Sequence, residues 1–203
     1  MASTTNIQIL LLAAGAAHRM GTPKQLLSWG TKTILQHQLD TLRSLKLPMT
    51  LVLGAHRDEI MKRILIDIPI LEHQNWRDGM GTSIALGAQH LLKNAPDLDG
   101  LLIALIDQPM VAIGHYKEII ASFEPGKQQI IASRSPEGVS SPPVLFDRHY
   151  LTELSTLTGD QGAMRIVRLY EENRITVESP HLMDIDTPEE YRSVLERYKN
   201  ELK

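Results

Sequence analysis

The sequence predicts a layered α/β domain built on a mainly parallel central sheet. Two features carry that expectation: short, nearly continuous apolar runs bounded by turn residues, and longer segments between them whose apolar residues recur at helical spacing. Their alternation is the pattern of strand–helix–strand units, with helices covering both faces of a sheet. IQILLL (7–12) opens the series as a central strand, and TILQHQLDTLRSL (33–45) follows as an amphipathic helix. MTLVLG (49–54) is the second strand, TSIALGAQHLLKN (82–94) the second helix and LLIALI (101–106) the third strand. HYKEIIASFE (115–124) and QQIIAS (128–133) continue as helix and strand. SPEGVSSPPV (135–144), dense in Ser, Pro and Gly, reads as the most loop-like stretch and a candidate substrate loop. Thr187-Pro188 ahead of EEYRSVLERYKN starts the last helix, because proline at the first helical position gives up no bond that the helix uses.

A chain of 203 residues, 42% of them hydrophobic, can bury a core of ordinary size, and a single domain over residues 1–203 is expected. The formal charge of −3 offers no general attraction to nucleic acid, so any bound anion should be small. There is no cysteine, which removes disulfides, thiolate catalysis and cysteine-ligated zinc. MASTTNIQILLLAAG carries no basic segment ahead of its short apolar run, and that run is too short to span a bilayer. A cytoplasmic protein without membrane partners is the expectation.

In such sheets ligands sit beyond the carboxyl ends of the strands, so the residues after each strand are the ones to inspect. After the first strand, LLLAAGAAHRMGTPKQLL (10–27) runs through Ala13, Ala14, Gly15, Ala16 and Ala17. These leave backbone N–H groups open to close approach by a phosphate. Arg19 offers a planar fork for phosphate oxygens and Lys24 a point charge, a division suited to a triphosphate. A tight turn with two solvated cations would look the same. The segment has neither the P-loop pattern nor G-x-G-x-x-G.

In LLIALIDQPMV (101–111) an apolar strand ends in Asp107, well placed to hold Mg²⁺ against phosphate oxygens. MDIDTPEEY (183–191) supplies a partner, Asp186, with Asp184 two residues earlier. Read alone, Asp186 is equally a helix N-cap or a first-turn charge. The eight histidines show no i, i+4 helical pair and no H-E-x-x-H, so no zinc site is expected; His18 is the one inside the phosphate loop.

The blocks LLAAGAAHRMGTPKQLL, ALIDQPMV, NWRDGMGTSIALGA, LTGDQGAM and DIDTPEEY, in order from residue 10 to residue 191, resemble the molybdopterin nucleotidyltransferases, their cytidylyltransferase branch above all. The resemblance implies a three-layer Rossmann-like nucleotidyltransferase domain, with a nucleotide-binding part at about 5–110 and an acceptor-binding part at about 111–203. It implies Mg²⁺-dependent transfer of CMP from CTP to molybdopterin, with release of pyrophosphate and a molybdenum hydroxylase as possible recipient of the product. By the same resemblance Ala13, Ala14, Gly15, Arg19 and Lys24 wrap the triphosphate, with Arg19, Lys24 and Asp107 catalytic and Asp107 and Asp186 the metal ligands. Gly79, Gly81, Thr82 and Ser83 would hold base and ribose, although Thr82 or Ser83 could also simply cap a helix. Asp160, Gln161 and Gly162 would shape the acceptor pocket, although Asp160 could equally stand near a helix N-cap. The chain departs from the family in GVSSPPVLF (138–146), where a glycine-histidine pair is frequent. It departs again at Met164, where arginine is frequent and Arg165 follows. A GTP-using guanylyltransferase, a transferase for another phosphate acceptor and a non-catalytic cofactor carrier are the alternatives.

Overall fold

The computed structural model describes residues 5–201. Residues 1–4, the start of the stretch read above as lacking a basic segment, and residues 202–203 lie outside the described residues. In chain order the strands are β1 (Ile7–Ala13), β2 (Ser28–Trp29), β3 (Lys32–Thr33), β4 (Met49–Leu53), β5 (Ile70–Glu72), β6 (Gly100–Leu105), β7 (Ile130–Arg134), β8 (Ser140–Asp147) and β9 (Arg174–Glu178). The helices are α1 (Ile34–Arg43), α2 (Arg57–Arg63), α3 (Met80–Asn94), α4 (Ile113–Ala121), α5 (Leu151–Leu154), α6 (Met164–Leu169) and α7 (Pro188–Glu201).

Seven strands form one sheet in the order β5-β4-β1-β6-β8-β7-β9, and β2 pairs with β3 in a separate small hairpin. Parallel pairing joins β1 to β4 and β6, β4 to β5, and β7 to β9, whereas β8 runs antiparallel to both β6 and β7. Six strands therefore point their carboxyl ends to one edge, and the single reversed strand begins at that edge.

Alternation along β1 shows how the sheet becomes a three-layer core. Ile7, Ile9, Leu11 and Ala13 pack with α1, α4 and α7, while Leu10 and Leu12 pack with α3, α5 and α6 on the other face. A strand buried on both faces has no polar side to show, which is why these runs are apolar throughout. The α1 helix starts at a capping box in which Thr33 and Gln36 satisfy each other's backbone N–H groups.

The expected loop at 135–144 is corrected. Only its first part turns, with Ser135 N–H donating to Val139 O (2.9 Å) and Gly138 at φ +82°. Residues from Ser140 onward form β8, in the middle of the sheet. Pro142 and Pro143 sit where the β7–β8 register shifts, between Ala132 and Ser133, and ahead of the β6–β8 ladder, which begins at Val144. Prolines there cost the sheet no ladder bond, so a pair that signals a loop is tolerated in a central strand.

Candidate active site

At the carboxyl edge, a cavity of about 470 Å³ lies between the loop after β1 and the end of β6. The loop is tied at both ends. Ala55 N–H donates to Ala14 O (2.9 Å), and the buried Gln25 amide donates to Ala13 O (2.6 Å). Between them Ala17 takes a left-handed conformation (φ 51°), and a methyl group at Gly15 would meet nothing within 4 Å, so that position faces open space. Ala13, Ala14, Gly15, Lys24 and Asp107 all line this cavity.

Charge is concentrated at its floor. The Lys24 ammonium donates to Asp107 Oδ2 (3.2 Å) and Asp186 Oδ1 (2.5 Å), and Arg19 Nη2 donates to Asp186 Oδ2 (2.6 Å). The side chain of Lys24 is 10% exposed, whereas that of Arg19 is 69% exposed, so Arg19 reaches the cluster from outside the cavity. Residues 167 positions apart in sequence thus meet in one ion cluster. A backbone bond from Ile185 N–H to Asp107 O (2.9 Å) fixes the two acidic segments to each other. Asp186 is not the helix cap: Thr187 Oγ1 accepts from Glu190 N–H, and Glu190 accepts from the N–H groups of Asp186 and Thr187. The capping work falls to its neighbours, which leaves the Asp186 carboxylate to the cations.

Burial is the largest single influence on all three groups. It pushes the Lys24 pKa down, but the adjacent Asp107 and Asp186 outweigh it and hold the ammonium above its ordinary value. For Asp186 the desolvation is likewise outweighed, here by Lys24 and Arg19, and its carboxyl lies below the ordinary range. Asp107 goes the other way: burial raises its pKa despite Lys24. Its Oδ1 is buried without a hydrogen-bond partner. An under-compensated buried carboxylate, beside a second one that shares its cation, is a donor set that fits Mg²⁺, which takes one or two protein carboxylates and completes its shell with water and phosphate oxygens. Among the described residues no group of three or more His, Asp or Glu could hold a metal without such outside ligands.

The glycine blocks predicted from the sequence are brought together, for a reason the sequence did not reveal. Gly79 (φ +99°) lies so close to the 158–162 loop that a Cβ would stand 2.3 Å from Gly159 C, and one on Gly81 would stand 2.8 Å from both Gly159 O and Thr158 O. Gly81 N–H donates to Gly159 O (2.8 Å). These glycines admit a neighbouring loop. Gly79 and Ser83 line the cavity as well, but Thr82 stands outside it. Its hydroxyl donates to Gly79 O (2.7 Å) and meets His73 Nε2 (2.8 Å), which joins the start of α3 to the end of β5.

A second cavity of about 270 Å³ adjoins the first and shares Leu12, Met80, Leu105 and Asp160 with it. Asp160 and Gly162 line it, whereas Gln161 is exposed and turns its carbonyl toward Gly81. Asp160 is not a cap, since α6 begins only at Met164 after Ala163. Arg165 does not supply the charge expected beside Met164. Arg168, one helical turn beyond Met164, lines the cavity in its place. Ser141, Pro142 and Asp184 complete the wall. Sequence reasoning missed Trp76 and Arg77, which line the first cavity with the Arg77 guanidinium 4.3 Å above the Trp76 ring; His18 lies 6.3 Å from the same ring. The Trp-Arg pair stands in NWRDGMGTSIALGA, and only the folded geometry turns these neighbours into a cation–π contact.

A small-residue loop, two cations and two carboxylates at the carboxyl edge of a mostly parallel sheet are the parts a nucleotidyltransferase of α/β fold needs. The model of the MobA-like NTP transferase domain matches residues 9–175, and the chain belongs to that family. It is 30% identical over 172 residues to nicotine blue oxidoreductase of Paenarthrobacter nicotinovorans, covering 78% of this chain and 80% of that protein. It is 29% identical to the purine catabolism protein PucB of Bacillus subtilis (91% and 94% covered) and 22% to the molybdenum cofactor cytidylyltransferase of Escherichia coli (95% and 97%). Among solved structures, Rv0371c from Mycobacterium tuberculosis superposes with a TM-score of 0.83 at 29% identity, over 96% of this chain and 99% of that one. The same protein in complex with manganese gives 0.79 at 28%, over 96% and 100%.

Proposed function

We propose that this protein transfers CMP from CTP to the terminal phosphate of molybdopterin, with Mg²⁺, and releases pyrophosphate. The observation that carries the proposal is the single Lys24 ammonium bridging Asp107 and Asp186 at the floor of the small-residue loop. Family membership supports nucleotidyl transfer, relatives named molybdenum cofactor cytidylyltransferase and guanylyltransferase support the acceptor without choosing between the bases, and the manganese complex of Rv0371c supports a divalent ion. In this reading the loop N–H groups from Ala14 to Ala17 and the Lys24 and Arg19 side chains bind and orient the triphosphate. Asp107 and Asp186 would hold the metal, whose chemistry is charge neutralisation at the phosphoryl oxygens. The second cavity seats the acceptor beside the α-phosphate, with Asp160 between the two chambers.

The acceptor phosphate attacks the α-phosphorus as pyrophosphate departs. Lys24 and Arg19 stabilise the charge that builds on the oxygens, having exchanged their carboxylate partners for phosphate. A phosphate monoester is already largely ionised at neutral pH, so no side chain has to remove a proton.

The test is a thermal shift with CTP, GTP, ATP and UTP in Mg²⁺, followed by pyrophosphate release with molybdopterin. Ligand at about 100 times its dissociation constant adds about 2.7 kcal/mol to the folded state. A CTP-selective shift with turnover supports the proposal. A GTP-selective shift replaces it with a guanylyltransferase, and binding of molybdopterin without turnover of any nucleotide replaces it with a carrier.

A further inference from the structure

Gln108 directly follows Asp107, yet its side chain does not reach the first cavity. The residue is 0% exposed. Its amide nitrogen donates to Ser141 Oγ and to Asp184 Oδ1, both at 2.9 Å, partners 33 and 76 positions away. The orientation is fixed by chemistry, because a flipped amide would set its oxygen against the Asp184 carboxylate. Both partners line the second cavity, one from β8 and one from the segment that carries Asp186. The Gln108 backbone is anchored too, since Gln38 Nε2 donates to Leu105 O (3.0 Å) and Gln108 O (3.1 Å). Gln108 Oε1 remains buried without a partner, a cost that a residue placed only for packing would not incur.

We infer that Gln108 is a positioning residue that ties the wall of the second cavity to the two carboxylates of the first. Residues 184–186 are held against 107–108 by two bonds, Gln108 to Asp184 and Ile185 N–H to Asp107 O, and Asp186 follows directly. A ligand that engages Ser141 or Asp184 therefore acts on the same amide that sets where Asp186 meets Lys24. The Gln108 side chain then supplies one route by which the nucleotide site and the acceptor site are coupled, and the coupling must be reciprocal. The inference rests on the proposed nucleotidyl transfer for its meaning, but its structural part can be tested without an acceptor.

Gln108→Met keeps the side-chain length and removes both donors. Hydrogen exchange should show the amides of Ile185, Asp186 and Thr187 exchanging at least tenfold faster, with β1 and β6 unchanged. Mn²⁺ titration should show weaker ion binding. With CTP and molybdopterin, kcat should fall about tenfold while the CTP KM stays within twofold. Gln108→His, which retains a donor, should recover part of each effect. Should Gln108→Met fail to fold, Asp184→Ala cuts the same bond from its exposed end and should give the same exchange pattern. Wild-type exchange at residues 185–187 in the folded variant would overturn the inference. Lack of turnover by the unmodified protein, with the exchange change present, would count against the proposed reaction and leave the Gln108 link standing.

Discussion

The two adjoining cavities differ in how their charges are paired. At the floor of the first, cations and carboxylates are already paired: Lys24 lies between Asp107 and Asp186, and Arg19 lies on Asp186. In the second, Met80, Ile84, Ile103 and Met164 form apolar walls, and Arg168 has no ion-pair partner among the described residues. The first is pre-assembled to accept several charges at once, because in the proposed reaction cation and carboxylate would need only to exchange partners with phosphate and metal. The second sets the unpaired Arg168 and the carboxylates of Asp160 and Asp184 apart along apolar surface, which suits a larger ligand with both polar and apolar parts.

The comparison breaks most visibly at Asp107. Asp107→Ala removes the carboxylate with the unpartnered buried oxygen, and pyrophosphate release should fall on the order of 10²- to 10³-fold, the range for loss of a fixed electrostatic group. Circular dichroism should show an unchanged fold, because the apolar walls of β6 are untouched. Near-normal turnover would remove Asp107 from the mechanism.

Gly81→Ala acts on the seam between the cavities. The new Cβ would stand 2.8 Å from two carbonyl oxygens of the 158–162 loop and 2.9 Å from a third, and backbone cannot yield as a flexible side chain does. Overpacking of this kind costs about 1–3 kcal/mol. For a chain of this size the melting temperature should fall by roughly 2–4 °C per kcal/mol. Acceptor KM should rise more than nucleotide KM, since the loop that moves carries Asp160 and Gly162. Equal effects on both would show that the two chambers move as one.

The difference between the cavities also explains what could be read from the chain. Ala14 to Ala17 and Asp107 stand just beyond the ends of strands whose burial makes them apolar throughout, so strand end and site residue are visible together, and Lys24 stands out as a cation in the same loop. Asp186 is legible for a different reason, beside a helix start marked by Thr187-Pro188. The second cavity depends on β8, whose prolines mimic a loop, and on the register that brings Ser141 opposite Ser133. That register is a tertiary fact with no local signature. Helix spacing could have pointed to Arg168, four residues beyond Met164 and on the same helix face, had α6 been recognised. Strands β5 and β9 lie at the two edges of the sheet, are short, and carry polar residues such as Glu72 and Glu178, which hid them from a search for continuous apolar runs.

Arg168→Ala sharpens the contrast with a smaller effect. A hydrogen bond to a charged group contributes about 1.5–3 kcal/mol, so the acceptor KM should rise roughly ten- to a hundredfold. The CTP thermal shift should not change, because Arg168 lines only the second chamber. A reduced nucleotide shift would mean that the triphosphate extends across the seam.

The smallest expected effect lies beneath the first cavity, at His73. Burial lowers its pKa more than the nearby Asp78 raises it. The Thr82 hydroxyl already donates to Gly79 O, so it accepts from His73, which fixes the neutral ring with its proton on Nε2. The unfolded chain therefore binds a proton near pH 6.5 that the folded protein takes up only at lower pH. This contribution to stability is complete above the ordinary histidine pKa and is lost as pH falls through the lower folded value, with a slope of at most about 1.4 kcal/mol per pH unit for one proton. Urea titrations from pH 7.5 to 5 should show that loss in the unmodified protein and a shallower one in His73→Gln, whose amide can donate to Thr82 without titrating. Identical slopes would mean that the half-buried His37 and the buried His115, whose pKa values burial also lowers, carry the acid sensitivity of the fold. Neither ring touches the α3 start that shapes both chambers, so acid would then act on the α1 and α4 side of the sheet.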